Sequence, residues 1–147
     1  NNEPAQAINS LNDSIKICED QGDMNMLSKS CLLLSKALLS NNNAKESYDA
    51  IKQATDASEK IKNKFLKQDI NLFKEYLKSH IDKDFSLVQF DNLNKDFDDR
   101  NAALFYFLRW KISKSGTDRK ESISRFSKLY ESKPSFSYLY YLNLLKK

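Results

Sequence analysis

The side chains able to do chemistry in this chain of 147 residues are few and far apart. Its one histidine, His80, stands just before Asp82 and Asp84 in SHIDKD, an order in which a carboxylate could orient the imidazole as a general base. A solitary histidine at a helix end more often caps the helix or meets solvent, so His80 is not taken as a catalytic group. Cys18 and Cys31, without a second histidine, make no metal-ligand set of ordinary spacing. A disulfide would suit an oxidising compartment, but both lie among apolar residues and read as buried free thiols. Gly22 and Gly116 are the only glycines, too few for a glycine-rich phosphate loop or a Gly-x-Ser-x-Gly elbow. Asp91, Asp96, Asp98 and Asp99 could attract a cation, yet they lack the glycine and alternating order of a calcium loop, and acids opening a helix explain them better. The expectation is a noncatalytic protein with no cofactor-binding or metal-binding residues.

Composition narrows the class further. Hydrophobic residues make up 40% and charged residues 30%, with a formal net charge of +4. No block of five or six like charges marks a nucleic-acid arm. Arg109, Lys111, Lys114, Arg119 and Lys120 are interleaved with acids, so nucleic acid is the less favoured partner. No run approaches the roughly 18 apolar residues that a transmembrane helix requires. With two Gly and two Pro there are few tight-turn residues for a fold of short strands, and an all-α chain is expected. The opening NNEPAQ, polar and without Met, suits an exported or lipid-anchored protein and a cytoplasmic one equally, so localisation stays open.

Apolar spacing places the helices. Pro4 in a first turn, then Ile8, Leu11, Ile15 and Cys18, predict one helix ending at Gly22. Asp23 caps a second through Leu27, Cys31, Leu34 and Leu38, and SNNNA turns the chain into a third running from about Lys45 past Ile61. Leu66, Ile70, Phe73, Leu77 and Ile81 form one stripe that either continues the third helix or starts afresh at an Asp69 cap. Leu87, Phe90, Leu93 and Phe97 suggest a short helix, although FSLVQF alone could be a strand. Asp98 or Asp99 opens RNAALFYFLRWKISK, which stops at Ser115 and Gly116. Asp118 then leads a helix to Pro134, and SFSYLYYLNLLKK closes the chain.

Two helical hairpins result, Met24 to Asn63 and Arg100 to Lys133. In the second helix of the first, Ala50, Ala54 and Ala57 share a stripe; the later hairpin offers Ser122, Phe126 and Leu129, with Pro134 beyond. Small side chains there let a neighbouring helix approach within about 8 to 10 Å. In these positions the chain resembles the tetratricopeptide repeat family, over about half its length and least at 65–98. The same pattern puts Leu38 and Trp110 where the family has a small residue in the first helix. The resemblance implies antiparallel hairpins stacked as a right-handed array of seven or eight helices in a single domain, 1–147.

ALFYFLRW and SFSYLYYLNLL carry bulky residues around most of the helix circumference, which suits either an array helix with neighbours on two sides or an exposed groove. The resemblance implies a concave face lined by first helices, here Leu104, Phe107, Lys111 and Lys114, with Tyr138 and Tyr141 from the last helix. The corresponding earlier positions are Leu32, Ser35 and Leu39, which departs from a carboxylate clamp. A protein–protein interaction module is expected, binding a peptide or partner protein through this aromatic and Lys groove. The alternative is an oligomerisation or assembly subunit packing through its C-terminal aromatic helix, as a homo-oligomer or in an exported or lipoprotein complex.

Overall fold

The computed structural model describes residues 3–93 and 96–146, and among these the chain is all-helical, with eight helices and no strand. They are α1 (Glu3–Gln21), α2 (Met24–Ser40), α3 (Ala44–Glu59), α4 (Lys64–Ile81), α5 (Leu87–Asp91), α6 (Asp99–Ser113), α7 (Gly116–Ser132) and α8 (Phe136–Lys146). The helices divide between two compact units, Asn1–Lys83 and Asp84–Lys147.

Caps set most of the boundaries. The Asp23 carboxylate accepts from the backbone N–H groups of Asn25 and Met26, opening α2 directly after Gly22 has left α1 in the left-handed conformation. Asn42 takes the left-handed φ of 60° that turns α2 into α3, and Asn43 caps α3 by accepting from Glu46 N–H. The third helix stops at Glu59, short of Ile61, and α4 is separate from it. Asn63 accepts from Leu66 N–H at 3.1 Å and so starts α4 at Lys64, which replaces both the continuous helix and the Asp69 cap. FSLVQF contributes to a short helix rather than a strand, and that helix ends at Asp91, so Leu93 and Phe97 lie outside it. Asp98 caps α6 by accepting from Asn101 N–H at 2.7 Å. Gly116 begins α7 instead of ending α6, with Ser115 at its N-cap and Asp118 in its first turn.

In the first unit α2 packs on α1, α3 and α4, and its core gathers Cys31, Ile51, Ala54, Ile70 and Leu77, each without solvent exposure. The alanine stripe of α3 is buried there as its spacing predicts, but the tightest hydrogen-bonded crossing lies three residues earlier. Ser35 Oγ donates to the Ser47 carbonyl at 2.6 Å and Ser47 Oγ donates to the Ser35 carbonyl at 2.7 Å, so two fully buried hydroxyls satisfy each other's backbone. Side chains this small are what lets the α2 and α3 backbones come together.

Two further pairs orient the unit. Asn25 meets Asn63 at the N-terminal ends of α2 and α4, and Lys36 meets Asp69 further along both, so α2 and α4 run parallel, each antiparallel to α3. Gln53 donates to Glu19 and ties α3 to α1. The first unit therefore has an α1/α3 side and an α2/α4 side.

In the second unit α6 packs on α5 and α7, and α7 on α8. Phe90 stacks on Phe105 with ring centroids 5.2 Å apart, and Ser122 Oγ donates to the Ala103 carbonyl at 3.3 Å where α6 crosses α7. That crossing joins residues nineteen apart, against twelve for Ser35 and Ser47. The two hairpins thus close at different distances from their turns.

Candidate partner-binding surface

The expected groove residues fall into three environments within the second unit. Leu104 and Phe107 are buried, at 3% and 5% exposure, and form core rather than lining. Tyr141 joins that core from α8: its ring stacks on Phe126 at 4.8 Å and meets Phe107 edge-on at 5.0 Å, while Tyr138 is 6.2 Å from Phe126. Phe126 has no solvent exposure and is the aromatic centre of the α7–α8 contact.

Lys111 is half-buried at the edge of this core, its ammonium 5.4 Å from the Trp110 ring centroid and 5.8 Å from that of Phe107. Lys114 is exposed and occupies the α6 C-cap with a left-handed φ of 58°, so it belongs to the turn. Phe107, Lys111 and Tyr141 are brought together; Leu104 and Lys114 do not join them at an accessible face. In the earlier hairpin Ser35, set at a groove position by the resemblance, is instead buried in the α2–α3 crossing, and Leu32 is buried too.

Two features were not singled out from the sequence. One is the outward stripe of α8, where Phe136 is 84% exposed, Tyr140 52% and Leu139 37%. Phe136 and Tyr140 are one helical turn apart, a spacing that was legible, but eight bulky residues in eleven hid which turn faced out. The other is the placement of Arg119. Its guanidinium lies 5.7 Å from the Trp110 ring and its Nε donates to the Leu145 carbonyl at 2.7 Å, closing the last turn of α8 with a cation where the helix dipole is negative. Trp110 thus carries cations from α6 and α7 against its ring faces.

The remaining charged groups are structural in their geometry. Arg109 donates to Asp91 from Nε at 2.7 Å and to both Asp118 oxygens from Nη1 at 2.5 and 2.6 Å, and Ser113 Oγ donates to Asp118 at 2.9 Å. One guanidinium therefore holds α5, α6 and α7. The Asp91 hydrogen bond raises the Arg109 pKa, with burial opposing and Asp118 reinforcing. His80 places Nδ1 3.1 Å from its own helix's Tyr76 carbonyl, and its ring lies edge-on to Tyr76 at 4.7 Å. A shallow cleft lined by Asp99, Arg125, Lys128, Leu129 and Ser132 has mixed charge, and its Arg125 is engaged by Glu121 and by the Tyr106 ring.

Cys18 and Cys31 are buried free thiols, and burial, with Glu19 and Cys18 adding to it, pushes the Cys31 pKa up to about 12. Among the described residues no three His, Cys, Asp or Glu side chains gather as a metal site, and no helix is long and apolar enough to cross a membrane. Comparison with known proteins finds no family model, no curated protein and no solved structure that matches this chain.

Proposed function

We propose that the chain is a noncatalytic protein–protein interaction module that docks a peptide or partner protein on the α6–α8 aromatic and cationic surface. The observation that carries this reading is the outer stripe of α8, Phe136, Leu139 and Tyr140, on the helix whose C-terminal end is tied through Arg119 to the Trp110 ring and its Lys111. Rigid aromatics give large contact area at low entropic cost, and cations beside them can meet a carboxylate, a combination typical of docking surfaces. The groove residues refine accordingly: Lys111 stays at the contact, Tyr138 and Tyr141 support it from behind, and Phe136 and Tyr140 become the contact residues.

The repeat-like reading belongs with this proposal and is supported in the first unit by two geometric facts. Moving the family's pattern three residues toward the N-terminus sets Ser35 in place of Leu38, and Ser47, Ile51 and Ala54 in place of Ala50, Ala54 and Ala57, which gives a small residue at the helix crossing. Parallel α2 and α4 meet through Asn25 and Asn63, thirty-eight residues apart, and through Lys36 and Asp69, thirty-three apart, separations that bracket the 34-residue period of tetratricopeptide repeats.

A second reading, self-assembly through α8, is favoured by the exposure of Phe136 on that helix. To test the first, a photoreactive amino acid at position 140 is compared with one at Lys128 in the organism's own cells. A discrete adduct of a different protein, lost on Phe136→Asp, is the expected result. Adducts that form equally from both positions, or only with the chain itself, would count against it.

A further inference from the structure

A second surface lies in the first unit, on the open side of α2. Every charged residue of α2 is a lysine, Lys29 and Lys36, and the helix has no acidic residue. Met26 and Leu33 are seven residues apart and exposed at 44% and 53%, and Lys29 and Lys36 repeat at the same interval. A seven-residue interval keeps each pair on one face of a helix, so α2 presents an apolar seam with a lysine seam alongside it.

Neighbouring helices frame that seam. Ser14 of α1 contacts Ser30 of α2, and Ile17, one turn along α1 from Ser14, is 53% exposed. On the other side Lys36 is paired with Asp69 of α4 and lies over the Phe73 ring, which leaves Lys29 as the exposed lysine of this flank, and Phe65, one turn before Asp69, is 54% exposed. Going across the face, Ile17 comes first, then Met26 with Leu33, then Lys29 with Lys36, then Phe65. Asp13 and Asp20 share the Ile17 edge of α1, so the positive charge is confined to the α4 side.

We infer that this face seats an amphipathic helix of another protein, carrying apolar residues about every seven positions and acidic residues along the single flank turned toward Lys29. The apolar seam supplies the anchoring contacts, in the manner of a helix laid into a groove. Lys29 on one flank, with Asp13 and Asp20 at the opposite edge, sets the side on which the acids of a docked helix can lie and disfavours a basic one. This surface is independent of the α6–α8 surface and stands or falls separately from it.

The test is selection of a displayed library of single helices on the immobilised full chain. Enriched helices should show the seven-residue apolar interval with Asp or Glu on one flank. Their binding should fall by about tenfold or more on Lys29→Glu and on Leu33→Asp, and should survive Phe136→Asp. Replacing their acids by Lys should abolish binding. Circular dichroism establishes that each variant is folded; if Leu33→Asp unfolds the chain, Lys29→Glu and the acid-to-Lys exchange decide alone. The proposal is overturned if no helix is enriched, if enriched helices are basic or indifferent to charge, or if folded Leu33→Asp binds them unchanged. A wild-type dimer that Leu33→Asp returns to monomer also overturns it, because a second copy then occupies the face.

Discussion

Arg109 shows how a single residue can organise a unit. Asp118 is almost fully buried, so removing the guanidinium leaves a carboxylate in low dielectric with only Ser113 as partner. Arg109→Met should cost about 2–3 kcal/mol, below the ~3–5 typical of a fully buried pair because about a quarter of the Arg109 side chain remains exposed. Asp91 is far more exposed, and Asp91→Ala should cost no more than about 1 kcal/mol. Urea denaturation of the two variants measures the contrast. In the sequence Arg109 reads as a surface cation and Asp118 as a helix opener, since nothing local reveals a partner nine residues on. Cys31 offers a second test. Its thiol stays neutral in the fold up to about pH 12, whereas the unfolded chain loses its proton near 9.0. The fold keeps its full margin below pH 9 and loses stability as pH rises from 9 toward 12, because the unfolded state gains by ionising first. Iodoacetamide at mildly alkaline pH should modify Cys31 only after denaturant is added, as mass spectrometry would report; rapid modification of the folded chain would contradict its burial.

At the scale of elements, helix existence was legible because apolar residues recur with a 3.6-residue period, whereas contact register was not. Ala50, Ala54 and Ala57 are the obvious small residues of α3, and all three are buried, yet the closest hydrogen-bonded crossing runs through Ser35 and Ser47. Serine reads as polar in a hydrophobicity pattern. It becomes a core residue where a backbone carbonyl takes its hydroxyl, as Ser35 and Ser47 do for each other. Ser47→Leu should therefore destabilise by overpacking, by about 1–3 kcal/mol, and Ala54→Leu by a similar amount. Thermal unfolding of both variants checks this, and an unchanged midpoint for Ser47→Leu would remove the close crossing from the account. The start of α4 was missed for a related reason: Asn63, inside a lysine-rich stretch, outcompetes Asp69 because its side chain is positioned to accept from Leu66 N–H. Asp69 is buried against Lys36 instead.

At the scale of the whole molecule, the candidate surface was partly readable from composition. The aromatic density of α6 and α8 is plain in the sequence, but which rings turn inward depends on the packing partner. Tyr141 is drawn in by Phe126 and Phe107, and that leaves Phe136 and Tyr140 facing out. Burial on one side of α8 thus determines what the other side presents. The central claim is that this outer stripe meets a different protein, and the most direct test is the solution mass of the chain by light scattering over a wide concentration range. The account predicts a monomer throughout, with Phe136→Asp unchanged in mass. A concentration-dependent dimer that Phe136→Asp returns to monomer would contradict it and make α8 the chain's own assembly interface.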